Sequence, residues 1–402
     1  MTLSEELTWR GFINQTTFAD ITNLDNETRN FYLGVDPSAA SMHIGNLATV
    51  MLVRHLLAAG HKAIVLVGGA TGMIGDPKQD VERDLRTLDE IAVNKHGIAA
   101  QYRSLLNGKQ FELVDNYDWF KNIGYLDFLR DIGKHFSMTQ LLDREFIKAR
   151  IGEGGVGISY AEFSYSLIQG YDFLHLYREK NATLQIGGSD QWGNMLSGAQ
   201  MIKKIEGVDA HVLTVPLVLD KKTGKKFGKS EGNAIWLDAA MTSPYKFYQF
   251  WLNCNDETAE SLVKIYTLLD RETIEALVAR HKQNPGAREL QRVLAREVTD
   301  IVHGKERRES VERVNAVLFG GADFHSLEPS DLEALAAEIP TASRGSVVAA
   351  LVSAGLAASN GEAKRLIDGG AISINSQKIS EDVEMTETSL VKKGKNSFIL
   401  VS

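Results

Sequence analysis

Short apolar runs alternate with longer amphipathic stretches in the first part of the chain. The run at residues 31–35 is followed by Asp36 and Pro37, and proline cannot donate to a sheet, so a strand should end there. Apolar residues then recur at helical spacing in HIGNLATVMLVRHLLAAGH, and a β-branched strand follows at 62–69. Strand, helix and strand in this order predict a βαβ unit of a parallel sheet.

The alternation returns later in the chain. A strand is predicted at 183–186, a glycine turn and a helix follow it, and a further strand is predicted at 211–220. Residues 117–150 and 159–179 show helical patterns and are rich in aromatic residues. We therefore expect residues 1–220 to form one doubly wound, Rossmann-like α/β domain, with its ligands beyond the carboxyl ends of the strands.

The pattern changes after this predicted domain. Residues 221–234 are glycine-rich and basic, and they predict a mobile loop that contains the sequence KFGKS. Helical periodicity predicts an α-helical domain at 235–322. Prolines and small residues at 323–340 predict a linker with one short helix, which leaves 341–402 as a separate C-terminal domain.

The C-terminal domain combines helical and extended patterns. Two amphipathic helices are predicted at 347–356 and 361–367. One strand is predicted to cover AISINSQKI, and a final strand covers SFILV. These elements predict a small α+β domain.

Composition places the chain among globular proteins. Hydrophobic residues make up 44% and charged residues 24% of the 402 residues, and no apolar run reaches the roughly 18 residues of a membrane span. The N-terminus shows no targeting pattern, and Cys254 is the only cysteine, so an internal disulfide is excluded. We therefore expect a cytoplasmic protein without a membrane partner.

The net charge of −8 argues against a broad, nonspecific nucleic-acid coat. Residues 341–402 hold seven Lys and Arg against six Asp and Glu, so even this domain is only slightly basic. Lysines concentrate instead at 221–229 and 392–395. A nucleic acid would therefore meet a few placed contacts, and its binding would weaken as the salt concentration rises.

The sequence HIGN stands at the predicted start of the helix after the first strand. A helix N-terminus offers unpaired N–H groups and partial positive charge to a phosphate. Gly45 leaves room for a base or ribose near the backbone, and His43 and Asn46 are three residues apart on one helix face. His43 as a simple capping or surface residue is the alternative interpretation.

The KFGKS sequence has two lysines, Lys226 and Lys229, in a predicted glycine loop that could clamp a polyphosphate. A solvated run of charge is the plainer interpretation. A P-loop is excluded, because the glycine that the motif requires is replaced by Thr223. A dinucleotide fingerprint fails as well, since no G-x-G-x-x-G follows the first strand.

A third cluster, GGSDQWGN, forms a predicted turn from strand to helix. Its Asp190 could accept hydrogen bonds from a ribose hydroxyl, as the acidic residue does in dinucleotide sites. A helix cap is the competing role for this aspartate.

The order of these clusters, each after a predicted strand, resembles the class I aminoacyl-tRNA synthetases, and within them the bacterial-type tyrosyl-tRNA synthetases. The resemblance extends over nearly the whole chain through YLGVDPSAASMHIGNL, VGGATGMIGDP, NYDWF, FLRDIGKHFS, EFSYSLIQGYDF, LQIGGSDQWGN, KKFGKSEG, TSPYKFYQFW and VTDIVHG. The C-terminal ASNGEAKRLIDGGAISINSQKI resembles an S4-type RNA-binding module.

The resemblance implies a role for each matching residue. Residues expected to bind a tyrosine substrate are Tyr32, Asp76, Tyr165, Gln169, Asp172 and Gln191. Residues expected to contact ATP are Gly34, Asp36, Ser38, Gly45, Gly188, Asp190 and Ser230. Residues expected to act on the triphosphate in catalysis are His43, Asn46, Lys226 and Lys229. Tyr32 and Asp172 would hold the phenol and disfavour phenylalanine, which would leave buried polar groups unpaired.

The resemblance also implies the reaction and the partners. Tyrosine would be activated by ATP to tyrosyl-adenylate and transferred to the 3′ end of tRNA(Tyr). ATP would arrive with Mg²⁺ as a substrate, and neither a tightly bound cofactor nor a protein metal site is expected. The family forms homodimers, and the aromatic residues at 117–136 are the candidate interface.

The chain departs from the family pattern at several positions. Asn46 replaces the second histidine of the motif, so it can donate a hydrogen bond to phosphate without carrying charge. Asn360 and Ser376 stand where an arginine and a glycine are frequent, so RNA contact there would be weaker or shifted. Asp80 stands near a position that is often basic, and its loop is left out of the expected site.

Two alternatives remain at the level of sequence. A tryptophan ligase shares the nucleotide-binding motifs but gives no reason to pair Tyr32 with Asp172. A non-catalytic RNA-binding protein could keep the fold, although intact HIGN, GGSDQ and KFGKS sequences argue against it.

Overall fold

The structure is a computed structural model that describes residues 1–77, 85–142, 145–152, 154–219, 227, 229–230 and 233–402. It divides into two compact units. Unit 1 contains 1–242 and 253–297, and unit 2 contains 243–252 and 298–402. The predicted division at residues 220, 234, 322 and 340 does not coincide with these units and stays a prediction.

Helices and strands alternate through the first half of the chain. They are α1 (Leu3–Arg10), β1 (Gln15–Thr16), β2 (Asn30–Val35), α2 (Ile44–Ala58), β3 (Lys62–Val67), α3 (Gly69–Ile74), α4 (Leu88–Leu105), β4 (Phe111–Val114), α5 (Tyr117–Phe120), α6 (Tyr125–Asp131), α7 (Met138–Leu142), α8 (Glu145–Ile151), α9 (Tyr160–Lys180), β5 (Ala182–Gly188), α10 (Trp192–Glu206) and β6 (His211–Val215).

The second half begins with short strands, continues with helices and ends with strands. Its elements are β7 (Lys229–Ser230), β8 (Asn233–Ala234), α11 (Pro244–Leu252), α12 (Asp256–Tyr266), α13 (Arg271–Gln283), α14 (Glu289–His303), α15 (Lys305–Phe319), α16 (Pro329–Ala336), β9 (Thr341–Ala342), β10 (Gly345–Ser346), α17 (Val347–Ser353), α18 (Asn360–Asp368), β11 (Ile372–Ile374), β12 (Gln377–Lys378), β13 (Glu384–Met385), β14 (Ser389–Lys393) and β15 (Ser397–Val401).

The main sheet of unit 1 has the strand order β1-β6-β5-β2-β3-β4. All neighbours in it pair in parallel except β1 with β6. The order runs outward from the β2–β5 pair in both directions, so the chain reverses its winding there. This is the doubly wound arrangement, and a crevice for ligands is expected where the carboxyl ends of these two strands diverge. The predicted Rossmann-like fold class is confirmed.

Local sequence explains why the central elements form. After the exposed Lys62, strand β3 is wholly buried and made of Val, Ile, Leu and Ala, as expected for a parallel strand covered on both faces. Helix α2 begins at a capping box in which His43 and Asn46 hold each other's backbone N–H groups. Helix α9 ends at Asn181, whose φ of 51° breaks the helix in the left-handed conformation.

Two predictions in this half needed correction. The strand predicted at 211–220 ends at Val215, because Pro216 has no N–H to continue the ladder. Residue 220 lies outside the described residues. The described part of the region predicted as helical at 117–150 contains the short helices α5 to α8, with glycines between α5 and α6 and between α6 and α7. Residues 143–144 lie outside the described residues.

Unit 2 contains two hydrophobic clusters. One lies inside the C-terminal domain and includes Val347, Leu351, Ile372 and Ile399. The other joins α15, α16 and strands β14 and β15. The predicted linker at 323–340 contributes to this second cluster, because it buries Phe324, Leu327 and Leu335 and contains α16.

The strand predicted over AISINSQKI is wrong in one respect, because two strands occupy it. β11 and β12 pair in antiparallel fashion across Asn375 and Ser376. Both turn residues have positive φ, 45° and 72°, so the chain reverses there. The five-stranded sheet of this domain has the order β12-β11-β14-β15-β9. Among the helices that the structure describes, none is both long and apolar enough to span a membrane.

Candidate active site

A cavity of about 340 Å³ opens where β2 and β5 end, at the reversal of the sheet. Many of the residues predicted from sequence to form the site line it. They are Tyr32, Gly34, Asp36, Ser38, His43, Gly45, Asn46, Asp76, Tyr165, Gln169, Asp172, Gly188, Asp190 and Gln191. The structure thus brings residues from distant parts of the chain to one place.

The predicted lysine loop is described only in part. Lys226 lies outside the described residues. The backbones of Lys229 and Ser230 form β7, but their side chains lie outside the description. Phe227 of the same motif is buried, lines the cavity and donates its backbone N–H to the carbonyl of Val218 at 2.8 Å. The motif therefore reaches the edge of the cavity.

Asp172, on α9, lies at the buried end of the cavity with 1% of its surface exposed. Asn116 Nδ2 donates to its Oδ2 at 3.0 Å, and Trp119 Nε1 donates to its Oδ1 at 2.9 Å. Burial raises the pKa of Asp172 well above its usual value, with a smaller contribution from Asp36, while these two donors oppose the rise. The carboxylate is therefore fixed in orientation and costly to ionise without a further donor.

Tyr32, on β2, faces Asp172 from the sheet and is 1% exposed. Burial and the negative Asp172 raise the pKa of Tyr32 well above its usual value, so the phenol stays protonated. The amide of Gln185 opposes this rise, yet neither the Tyr32 hydroxyl nor Gln185 Oε1 has a hydrogen bond of acceptable geometry to a described residue. Such buried groups can pair with a polar group of a ligand in the cavity.

Tyr165 and Asp36 form a second polar pair across the cavity. The Tyr165 hydroxyl donates to Asp36 Oδ2 at 2.8 Å. Burial raises the pKa of Tyr165 well above its usual value, and the nearby Asp36 and Asp76 raise it further. Tyr165 therefore remains a neutral donor, and the carboxylates beside it make this part of the cavity suited to a cation.

Asp76, just after α3, is oriented by two side-chain amides. Gln191 Nε2 donates to Asp76 Oδ2 at 2.9 Å, and Asn194 Nδ2 donates to Oδ1 at 3.1 Å. Asn194 is itself held by Ser166, whose hydroxyl donates to Asn194 Oδ1 at 2.7 Å. These hydrogen bonds thus hold the Asp76 carboxylate in one defined orientation.

The HIGN segment forms the start of α2 as predicted. His43 Nδ1 accepts the N–H of Gly45 at 3.0 Å, so the neutral imidazole carries its proton on Nε2 and can donate from there. Asn46 Oδ1 accepts the N–H of His43 at 3.0 Å, which leaves its Nδ2 as the donor. A Cβ at Gly45 would collide with the His43 ring, so this glycine also permits the cap.

The glycines near β2 and β5 differ in what they allow. A Cβ on Gly34 would make only ordinary contact with Tyr32, so protein packing does not require a glycine there. The open space on Gly34 is instead available to a ligand in the cavity. A Cβ on Gly188 would approach Asp190 Oδ1 to 2.6 Å, so Gly188 leaves room for that carboxylate.

Sequence reasoning missed the side chains that hold the predicted residues in place. Asn116 and Trp119 lie within NYDWF, whose sequence predicts no role for them, and Asn194 ends the GGSDQWGN cluster. Gln185 gave a usable signal, because it is a polar residue inside the apolar strand β5. Among the described residues, no group of three or more His, Cys, Asp or Glu could hold a metal ion.

Comparison with known proteins identifies the family. Residues 24–320 match the model for "tRNA synthetases class I (W and Y)". Residues 331–401 match the "Tyrosine--tRNA ligase SYY-like C-terminal domain".

Individual proteins agree with these matches. A tyrosine–tRNA ligase of Bacteroides thetaiotaomicron is 42% identical over 100% of this chain and 99% of its own length. One of Bifidobacterium longum is 44% identical over 96% of this chain and 91% of its own. A C-terminally truncated mitochondrial tyrosyl-tRNA synthetase of Aspergillus nidulans matches in structure with a TM-score of 0.71 and 28% identity, over 79% of this chain and 94% of that one. The chain belongs to the tyrosine–tRNA ligases, within the class I tRNA synthetases.

Proposed function

We propose that the cavity binds tyrosine and ATP side by side and that the chain joins tyrosine to tRNA(Tyr) in two steps. The observation that supports this most directly is the buried pair of Tyr32 and Asp172. A substrate phenol between them would donate to the Asp172 carboxylate and accept from the Tyr32 hydroxyl, which has no acceptable hydrogen bond to a described residue.

Selection against related amino acids follows from this pair. Phenylalanine would fill the same space but would leave the buried Tyr32 and Asp172 without their partner, at a cost of about 1–3 kcal/mol for each group. The indole of tryptophan has a single N–H donor and no acceptor, so it would leave the Tyr32 hydroxyl unpaired. Tyrosine alone among the three satisfies both groups.

The amino-acid end of the substrate would lie near the second polar group. Asp76, Tyr165 and Gln169 would hold the α-ammonium, and Gln191 would position the carboxylate. Asp76 is already oriented by Gln191 and Asn194, and the pKa of Tyr165 is raised by the neighbouring carboxylates. This concentration of negative charge favours the α-ammonium group, and fixing that group would orient the reacting carboxylate attached to the same carbon.

ATP would occupy the side of the cavity lined by Gly34, Gly45, Gly188 and Asp190. Asp190 would accept from the ribose, and Asp36, Ser38 and Ser230 would complete the nucleotide contacts. The N-terminus of α2 would face the phosphates, because its N–H groups and partial positive charge favour an anion.

Chemistry in the first step needs no general base, because the tyrosine carboxylate is already ionised. It would attack the α-phosphate in line, and pyrophosphate would leave. His43 and Asn46 would donate hydrogen bonds to the triphosphate, and Lys226 and Lys229 would neutralise its developing charge. Mg²⁺ would arrive bound to ATP as part of the substrate.

In the second step a ribose hydroxyl of the terminal tRNA adenosine would attack the tyrosyl-adenylate and release AMP. The C-terminal domain, resembling an S4 module, would supply RNA contacts. We place the protein in the cytoplasm. Cys254 is its only cysteine, so the fold does not depend on an internal disulfide or on an oxidising compartment.

A second copy of the chain is the proposed protein partner. Unit 1 exposes large apolar side chains between residues 117 and 160: Tyr117, Tyr125, Leu126, Met138, Leu142, Ile151, Val156 and Tyr160. Leu126 is 77% exposed, a costly arrangement unless another surface covers it. Sedimentation equilibrium should find a dimer, and Leu126→Asp should shift it toward monomer. A monomeric wild-type protein would contradict this part.

Amino-acid-dependent exchange of pyrophosphate into ATP tests the central proposal. The protein should support exchange with tyrosine, and far less with phenylalanine or tryptophan. Exchange driven by tryptophan would favour a tryptophan ligase. RNA binding without exchange for any amino acid would favour a non-catalytic protein.

A further inference from the structure

Gln101, on α4, holds the segment that leads into the HIGN helix. Its Oε1 accepts the backbone N–H of Met42 at 2.7 Å, and its Nε2 donates to Ser41 Oγ at 2.8 Å. Gln101 does not line the cavity, and no role was expected for it from sequence. Both of its amide atoms are therefore used to fix the two residues immediately before His43.

Ser41 passes this attachment to a second segment. Its buried hydroxyl donates to the Met42 carbonyl at 2.7 Å and accepts the N–H of Asp238 at 3.1 Å. With Gln101 as its third partner, Ser41 Oγ uses its one donor and both acceptor positions. The hydroxyl therefore links α4, the HIGN segment and the chain at residue 238.

The segment before Asp238 pairs with the HIGN segment along its length. Leu237 donates its N–H to Met42 at 2.8 Å, and Ile44 donates to Ile235 at 3.0 Å. His43 and Trp236 form an antiparallel bridge between these bonds. Residues 42–44 and 235–237 thus behave as one two-stranded unit.

This paired segment continues from β8, which pairs with the last two residues of the lysine motif. β7 pairs with β8 so that Lys229 lies opposite Ala234, and Ile235 follows directly. Backbone pairing therefore connects the position of Lys229 to His43 within a few residues. Gln101 bonds to this pairing from α4 through Met42, and Thr242 bonds to it through the N–H of Trp236.

Other contacts of α4 support the same arrangement. Asn94 Nδ2 donates to the Pro37 carbonyl at 3.0 Å, and a Cβ on Gly97 would collide with the carbonyl of Ala40. Residues 94, 97 and 101 lie on one face of the helix. That face fits closely against residues 37–42 and leaves little freedom to the segment that ends at His43.

We propose that Gln101 is a positioning residue for the triphosphate site, which aligns His43 and the segment after the lysine motif through Ser41 and Met42. The inference rests on the proposed function, because it concerns the same reaction. Gln101 lies outside the cavity lining and would act through the residues that it holds. Its loss should let the two motifs shift relative to each other, and a misplacement of about 1 Å can slow a reaction by about a hundredfold.

The test compares Gln101→Met with Arg103→Met, an exposed residue on the same helix. We expect Gln101→Met to lower the single-turnover rate of adenylate formation by about tenfold to a hundredfold and to leave the dissociation constant of tyrosine within about twofold. Arg103→Met should change neither. Intact tyrosine binding shows that the variant is folded. The conservative variant Gln101→Glu keeps the acceptor for Met42 and should recover part of the rate.

A double substitution separates positioning from general damage. If Gln101 acts through His43, then Gln101→Met should lower the rate of adenylate formation by a much smaller factor in the His43→Ala variant than in the wild-type protein. The inference would be overturned if Gln101→Met lowered the rate by the same factor in both proteins. It would also be overturned if the Gln101→Met rate matched that of Arg103→Met, or if the affinity for tyrosine fell together with the rate. Failure of the wild-type protein to catalyse exchange would instead overturn the proposed function.

Discussion

Trp119 Nε1 donates a hydrogen bond of 2.9 Å to Oδ1 of Asp172, and the indole itself does not line the cavity. The bond therefore acts on a substrate only through the carboxylate. The His175 ring stacks on the Trp119 indole, with ring centroids 4.3 Å apart, and fixes the plane of the indole. Asp172 is thus positioned by a residue with a fixed orientation of its own.

Trp119→Phe should weaken tyrosine binding without affecting ATP. The variant keeps an aromatic ring against His175 but removes one donor from a buried carboxylate, which costs about 1–3 kcal/mol. We expect the dissociation constant of tyrosine to rise by about tenfold, measured by equilibrium dialysis, with the KM for ATP unchanged. Trp9→Phe, on α1 and away from the cavity lining, is the matched control. An equal rise in the KM for ATP would argue against action through Asp172.

Tyrosine binding should strengthen as pH rises through the raised pKa of Asp172. Burial raises the pKa of Asp172, so the ligand-free carboxyl is protonated below that raised value, whereas the substrate phenol donates to the ionised form. Calorimetric titration at increasing pH should show the affinity rising until Asp172 is ionised. Asp172→Asn should remove the slope. A flat profile in the wild-type protein would contradict the assignment.

The same raised pKa has an opposite effect on the stability of the ligand-free protein. In the folded protein Asp172 keeps its proton to a higher pH than it does in the unfolded chain. Its contribution to the free energy of unfolding is therefore complete below the unfolded pKa and is lost as pH rises through the folded one. Bound tyrosine should reverse this trend, because it binds the ionised carboxylate.

Local pattern explains which parts of the fold were predictable. The β2–α2–β3 unit follows from apolar periodicity and a capping sequence that act over a few residues. The end of β6 was predicted too late, because the apolar run on both sides of Pro216 obscured the break that this proline marks. The turn at Asn375 and Ser376 was not readable, since serine rarely adopts positive φ and the run alternates like a strand.

The candidate site divides in the same way. Residues in sequence motifs, such as His43 and Asp190, line the cavity because motifs follow strand ends in this fold. The partners of Asp172 were not predictable, since Asn116 meets it from 56 residues away. Such contacts depend on how β4 and α9 pack, which no local pattern specifies.

Lys229→Ala should separate catalysis from substrate binding. A lysine that meets the triphosphate mainly in the transition state contributes to the rate of adenylate formation and not to ground-state binding. We expect the single-turnover rate to fall by about a hundredfold or more, while the dissociation constant of tyrosine stays near that of the wild-type protein. Lys203→Ala, on α10 and paired with Asp209, is a control lysine that does not line the cavity. A large loss of tyrosine affinity would contradict a transition-state role.

Charge reversal on α18 should impair tRNA charging and spare adenylate formation. Lys364 and Arg365 are exposed there, and removing a cation that neutralises a phosphate weakens binding in a salt-dependent way. Lys364→Glu with Arg365→Glu should raise the KM for tRNA and flatten its dependence on salt, with pyrophosphate exchange unchanged.

These substitutions are preferable to removal of 341–402, because β14 and β15 complete a hydrophobic cluster with α15 and α16. Lys282→Glu, exposed on α13, is the control. Unaltered charging would place the RNA contacts elsewhere.

Ser376→Gly should stabilise the C-terminal domain. Ser376 has a φ of 72° in the turn between β11 and β12, and a side chain there costs about 1–2 kcal/mol that glycine avoids. Part of this gain is lost to the greater freedom of glycine in the unfolded chain, so we expect a net increase of up to about 1 kcal/mol in the free energy of unfolding. Hydrogen exchange of peptides covering β11 to β14 should show slower opening. Gly394→Ala, at a φ of 62°, should have the opposite effect, and Ser380→Gly, outside the turn, should give no gain. Faster exchange in Ser376→Gly would show that the serine side chain stabilises the turn instead of straining it.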